Sequence, residues 1–243
     1  MAAGAMGKAY DATWGRAFAR FYDLALKATE ENGLGTMRKE LLAGARGRVI
    51  EVGAGTGVNV DLYPDEIEDL TLVEPDPHMA ARLRARLEAG EGAHGGATGG
   101  EAASEAPAAV PNGLAQVPKH LVEAPAEALP FDDGTFDTAV ATLVLCTIPY
   151  PVAAIGELAR VLKPDGRLLF IEHVRADDAD RARWQDRLEK PWRFMADGCY
   201  CNRDTEASLR ASTFEIETIE YGKMPKAMPI VRPLIRGTAI LAA

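Results

Sequence analysis

Short apolar segments recur along this chain, and stretches with helical spacing separate most of them. Arg48–Val52 runs into a cluster of glycines, and Leu70–Val73 ends at Glu74-Pro75. His120–Val122 is a weak third strand and Phe136–Leu145 a long fourth. Arg167–Ile171 is a fifth, introduced by the turn signal Lys163-Pro164-Asp165-Gly166. Helical patterns occupy Pro77–Glu88, Pro151–Leu162 and Asp180–Phe194. Such alternation implies an α/β fold with a parallel sheet covered on both faces. Phe214–Tyr221 and Ile235–Leu241 have no convincing helix between them, so an antiparallel finish is expected.

Two segments depart from this pattern. Residues 1–45 read as an N-terminal helical cap over the substrate. Its aromatic residues Tyr10, Trp14, Phe18, Phe21 and Tyr22 recur at three- and four-residue steps. Residues 46–243 form the main domain. Within it, Ala89–Pro118 is rich in Gly, Ala, Glu and Pro and nearly free of large apolar residues. Such a stretch cannot offset its ordering entropy and reads as a disordered insertion.

Charge narrows the partners. The chain has 27 Lys+Arg against 36 Asp+Glu in 243 residues, a net charge of −9, which argues against nucleic-acid binding. No apolar run approaches the roughly 18 residues of a membrane span, and no stable membrane insertion is expected. The start, MAAGAMGKAYDA, lacks the pattern of a secretory signal. Three cysteines, Cys146, Cys199 and Cys201, do not make a disulfide framework. A cytoplasmic protein acting on a small molecule is the expectation.

The loop Glu51-Val52-Gly53-Ala54-Gly55-Thr56-Gly57 follows a strand and opens toward a helix, where glycines let the backbone approach a ligand. Dinucleotide spacing wants glycine or alanine three residues after Gly55, and that position is Val58. A phosphate-binding loop is excluded because no Gly-Lys-Ser/Thr follows. Glu74 closes the second strand 21 residues after Gly53, where a carboxylate can accept both hydroxyls of a ribose. Asp76, directly before Pro77, is the better helix cap, which frees Glu74 for a ligand.

With LVEPD (Leu72–Asp76), AEALPFDDGTFD (Ala126–Asp137) and RVLKPDGRLLFIEH (Arg160–His173), the glycine loop makes the chain resemble the class I S-adenosylmethionine-dependent methyltransferases. The resemblance runs from about Arg46 to Ala242, outside the insertion. It implies a Rossmann-like seven-stranded sheet of order 3-2-1-4-5-7-6 with strand seven antiparallel, and S-adenosylmethionine as cofactor. The implied cofactor residues are Glu51, Gly53, Ala54, Gly55, Gly57, Glu74, Pro75, Ala126, Glu127 and Thr142. Gly53 and Gly55 would pass beneath the methionine moiety, and Glu51 would position the loop or reach the amino group. Glu74 would hold the ribose, Ala126-Glu127 would meet the adenine, and Thr142 would face the methionine part. Many relatives carry Asp where this chain has Pro125, so the adenine must be recognised by Glu127 or a main-chain carbonyl.

The stretches Ala141–Ile148, Asp197-Gly198-Cys199 and Arg203-Asp204 resemble the methyltransferase-like alkyl-thiol methyltransferases. That resemblance implies a small apolar acceptor such as an alkyl thiol. A phospholipid or quinone-type acceptor and a non-catalytic cofactor-binding protein are the alternatives. His173, ending the fifth strand, is the candidate general base. Cys199-Tyr200-Cys201 falls short of zinc-site spacing, so no metal is expected.

Overall fold

The computed structural model describes Leu24, residues 26–89 and residues 117–242. The aromatic residues of the expected cap, and residues 90–116 of the expected insertion, lie outside the described residues. A π-type turn at Glu30–Leu34 leads into α1 (Gly35–Leu42). Then follow β1 (Arg48–Val52), β2 (Asp69–Val73), α2 (Pro77–Ala89), β3 (Lys119–Val122) and β4 (Phe136–Thr142). The second half comprises α3 (Pro151–Val161), β5 (Leu162–His173), α4 (Ala179–Met195), α5 (Thr205–Arg210), β6 (Phe214–Lys223) and β7 (Pro233–Leu241).

The seven strands form one sheet in the order β3-β2-β1-β4-β5-β7-β6. β7 runs antiparallel to both β5 and β6, and every other pairing is parallel. The order that the resemblance implies is therefore present. A short 3₁₀ turn, Pro229–Val231, is the only helical element between β6 and β7 among the described residues, which permits the antiparallel return.

Alternation along the strands decides what each helix covers. Ile50, Val52, Ala139, Ala141, Leu168 and Phe170 face α3 and α5, where Ile155, Leu158 and Leu209 meet them. Val49, Leu70, Leu72, Val140 and Leu169 face the other way, against Leu42 of α1 and Leu83 of α2. Each such side chain contributes about 1.5–3 kcal/mol when fully buried. The same two-residue period puts Glu51 and Thr142 on the α1/α2 face, one position beyond this apolar layer.

Two strand expectations need correction. β4 ends at Thr142 rather than Leu145, because Leu143 takes a left-handed conformation (φ 57°) and turns the chain out of the sheet. The Lys163–Gly166 turn signal lies inside β5 instead of before it. There it appears as a register break, with Phe136 opposite Leu162 and Thr138 opposite Arg167.

Candidate active site

The strand order reverses between β1 and β4, and ligands in such sheets bind at the carboxyl ends of the strands beside this reversal. β1 runs out into Gly53 and Gly55, with φ of 62° and 57°, a region that side-chain-bearing residues rarely occupy. The loop is tied to the end of β2 at two points. The Ala54 N–H donates to the Val73 carbonyl at 3.1 Å, and the Gly55 N–H donates to Glu74 Oε2 at 2.8 Å. Glu74 Oε1 accepts from the Asp76 N–H at 2.9 Å. Asp76 itself caps α2, its Oδ1 accepting from the His78 and Met79 N–H groups at 2.8 Å each.

Beneath the loop lies a buried polar brace. Tyr63 donates to Glu51 Oε2 at 2.6 Å, and Asn59 Nδ2 donates to Glu51 Oε1 at 2.8 Å and to Thr142 Oγ1 at 2.9 Å. Arg38, 1% exposed, donates to Thr142 Oγ1 (2.6 Å), Asn59 Oδ1 (3.1 Å) and Glu30 Oε1 (3.1 Å). Burial raises the pKa of Glu51, and burial with the adjacent Glu51 charge pushes the Tyr63 phenol well above its usual range. Tyr63 therefore stays protonated and donates. With both Glu51 oxygens engaged, this carboxylate positions the loop from below.

The other half of the site grows from the turn after β4. Glu172, fully buried, accepts from the backbone N–H groups of Val144 (2.9 Å), Leu145 (2.9 Å) and Cys146 (3.2 Å). This arrangement fixes Cys146 beside the end of β5. There His173 Nε2 lies 2.8 Å from Cys199 Sγ, to which Trp192 Nε1 donates at 3.2 Å. Arg203 secures the same turn, donating to the Leu145 and Ile148 carbonyls at 2.6 Å each. A hydrogen bond to Cys199 and burial push the Cys146 thiol well above its ordinary value. Burial opposes a charged imidazole at His173, but the Cys146 sulfur and the Glu172 carboxylate outweigh it and raise the His173 pKa.

A cleft of about 960 Å³ joins the two halves. That is near the top of the roughly 300–1,000 Å³ typical of ligand pockets and leaves room for two ligands side by side. Gly53, Gly55, Glu74, Pro75, Ala126, Glu127, Thr142 and His173 all border it. Glu51, Ala54 and Gly57 lie behind the wall. Ala54 is buried, and a Cβ on Gly57 would stand 2.5 Å from Leu83 Cδ1, so Gly57 serves the packing of α2. Glu127 accepts from the Tyr150 N–H at 3.2 Å, next to Pro125. Leu143, Ile148, Trp192, Met195, Met224 and Val231 add an apolar lining to the cleft.

Nothing in the sequence pattern singles out Arg38, Asn59 or Tyr63 as site residues, or the meeting of Cys146 with His173 and Cys199. Leu34, Arg38 and Leu42 stand at four-residue steps on one buried helical face, a spacing from which the burial of Arg38 follows. Cys199 and Cys201 diverge, since Cys201 Sγ donates to the Gln185 carbonyl in a separate core.

The buried carboxyls carry a pH consequence. Burial raises Glu51, Glu74 and Glu172 above their ordinary value of 4.5. Their stability contribution is complete below that value and is lost as pH climbs through the raised ones. Glu157 acts in the opposite sense. Its hydrogen bond from Arg160 lowers its pKa, so its contribution is lost only on stronger acidification. The ligand-free protein should therefore melt higher at pH about 5.5 than at pH about 8. A melting series that stayed level or rose from pH about 5.5 to pH about 8 would refute this.

The Methyltransferase domain family profile matches residues 50–170. Thiol S-methyltransferase TMT1B of Homo sapiens is 31% identical over 202 residues, covering 82% of this chain and 73% of that protein. This chain is a class I S-adenosylmethionine-dependent methyltransferase. The methyltransferase is also 30% identical over 131 residues to phosphatidylethanolamine N-methyltransferase of Cereibacter sphaeroides, covering 54% of this chain and 53% of that one. A SAM-dependent methyltransferase from Thermotoga maritima shares the fold, with a TM-score of 0.58, 21% identity, and coverage of 93% and 99%.

The cleft of this methyltransferase suits such a cofactor. A Cβ on Gly55 would meet nothing closer than the Gly53 carbonyl at 4.0 Å, so the position opens onto free space along the loop. Glu74 stands at the same wall with its carboxylate buried and raised in pKa, ready to accept from hydroxyl donors. Among the described residues no helix is long and apolar enough to cross a membrane.

Proposed function

We propose that this methyltransferase methylates a small apolar thiol. The observation that carries the reading is the pairing of an apolar cleft end with the imidazole–thiol cluster of His173, Cys146 and Cys199 at its wall. The thiol S-methyltransferase relatives, matched over most of this chain, support the same acceptor.

In this reading Glu74 accepts from the ribose hydroxyls, and Gly53 and Gly55 admit the methionine part. Thr142, held by Arg38 and Asn59, borders that part. Ala126 and Glu127 meet the adenine, and Pro75 packs beside it. Glu51 contributes from beneath by holding Asn59, while Ala54 and Gly57 keep the loop in shape. When bound, the cofactor supplies an electrophilic methyl on a sulfonium. The chain's own tasks are to align the acceptor sulfur with that methyl, exclude water and take up the acceptor's proton. Leu143, Trp192, Met195 and Met224 desolvate the acceptor, which strengthens the attraction between a thiolate and a sulfonium. Even a cysteine-like thiol of pKa ~8.5 is little ionised at neutrality, and an alkyl thiol is less so, so its ionisation must be assisted at the His173 cluster.

His173→Ala should therefore lower thiol turnover about tenfold near neutrality. That is less than the usual general-base contribution, because a thiol already ionises in part. The variant should converge with the parent above the thiol's own pKa. The deciding experiment incubates the purified protein with labelled S-adenosylmethionine and alkyl thiols of increasing length, with phosphatidylethanolamine vesicles in parallel. Labelled thioethers are expected, with a Michaelis constant that falls as the chain lengthens. Label in the phospholipid and none in the thiols would replace this reading with a lipid amine acceptor, which the Cereibacter sphaeroides relative favours.

A further inference from the structure

Three soft ligand atoms converge where the acceptor half of the cleft begins. One nitrogen of His173 and the sulfurs of Cys146 and Cys199 all lie within 4.8 Å of one another. The three residues are buried, yet all border the cleft. They come from three separate parts of the chain: the turn after β4, the end of β5 and the segment after α4.

A tetrahedral zinc site places sulfur at about 2.3 Å and imidazole nitrogen at about 2.0–2.1 Å from the metal, so its ligand atoms are about 3.5–3.8 Å apart. The present triangle reaches that size with movements below about 1 Å. The chemistry of the donors also fits, since two thiols and an imidazole favour a soft or borderline cation over magnesium or calcium. Three protein ligands with one open position make a reactive site rather than a closed structural one.

The surroundings hold these ligands in place. Glu172 fixes the backbone of Cys146 through three N–H groups, and Trp192 donates to Cys199 Sγ as outer partners of metal thiolates do. His173 Nδ1 is buried and makes no hydrogen bond, so no second hydrogen bond holds the ring against a small shift toward a metal.

We infer that Cys146, His173 and Cys199 bind a zinc-class cation whose fourth position, facing the cleft, takes the acceptor as its thiolate. The second part of this inference rests on the thiol reading proposed above. Metal uptake releases the two cysteine protons. The acceptor R–SH then loses its proton to solvent as its sulfur binds, so the cluster assists by lowering the thiol's pKa through the metal, and this replaces the direct proton uptake described above. A lone pair of that sulfur forms the new carbon–sulfur bond, and the bond from the methyl to the sulfonium breaks with its electron pair staying on the departing sulfur. The product, a neutral thioether, is a weaker ligand and leaves. His173 thus acts as a ligand, and its loss still slows turnover most where the free thiol is un-ionised.

The test begins with chelator-treated, full-length protein titrated with cobalt(II), a spectroscopic stand-in for zinc, followed by competition with zinc. One equivalent should bind, with sulfur-to-cobalt charge-transfer bands and the strong visible bands of a tetrahedral site. Cys146→Ser and Cys199→Ser should each weaken uptake at least tenfold, and Trp192→Phe about tenfold. Cys201→Ser, outside the cluster, should leave it unchanged. An alkyl thiol should then shift the charge-transfer bands. Failure of the parent to bind a stoichiometric equivalent overturns the site, as does uptake that survives both serine variants. Uptake with bands indifferent to thiols overturns the acceptor's place on the metal. Bands that shift with thiols, in a protein that methylates none of them, keep the site and remove the proposed function instead.

Discussion

Glu74→Ala should weaken S-adenosylmethionine binding by about 100-fold. A carboxylate accepting two ribose hydroxyls makes two charge-assisted hydrogen bonds, each worth about 1.5–3 kcal/mol. The lower end of their sum, about 3 kcal/mol, corresponds to a factor on the order of 100. Titration calorimetry of parent and variant with S-adenosylmethionine checks it, and an affinity within about threefold of the parent would remove Glu74 from the ribose. A second signature follows from burial. Because burial raises the Glu74 pKa, acidification protonates this carboxyl before ordinary carboxylates and takes away its acceptor capacity. Parent affinity should decline with falling pH through that raised value, while the alanine variant stays flat over the same interval.

Gly53→Ala should cost about 3 kcal/mol of stability and abolish cofactor binding. The backbone at Gly53 is left-handed, which costs a side-chain-bearing residue about 1–2 kcal/mol. A Cβ there would also stand 2.0 Å from Val144 Cγ2, an overlap that forces one chain segment away from the other. Overpacking of this kind adds about 1–3 kcal/mol. Val144 cannot yield freely, because its N–H is held by Glu172. For a chain of this size the melting temperature should fall by about 6–12 °C. Val144→Ala in the same protein removes the overlap but not the backbone strain. The double variant should recover roughly half of the loss, and a double variant no better than Gly53→Ala would show that the clash is not the cause.

The fold was legible because its signals are local. Apolar runs, Asp76 before Pro77, and the missing helix between the last two strands each specify a neighbouring element. The glycine loop and Glu74 were legible for the same reason, since a strand end and a tight turn are read within a few residues. The polar brace was hidden because Arg38 and Thr142 are 104 residues apart in sequence, and an arginine in a helix ordinarily reads as solvated. The Cys146–His173–Cys199 meeting was hidden in the same way. Spacing drew attention to Cys199 and Cys201, whose side chains part. Cys146 reaches Cys199 only because Leu143 ends β4 three residues earlier than the apolar pattern suggests. That apolar run continues past Thr142 without a polar interruption, so hydrophobicity alone cannot locate the turn.

The reversal of strand order between β1 and β4 gives the cleft a seam. On one side, β1 and β2 present the glycine loop and Glu74, which in the proposed reading hold the nucleoside of the cofactor. On the other, the turn after β4, the end of β5 and side chains from the 192–231 segment line the cleft, and in the proposed reading they meet the acceptor. The two sides are thus open to independent inheritance. Grafting the acceptor-side segments of a relative onto β1–β2 of this chain should retarget the methyl while leaving the hold on its donor intact.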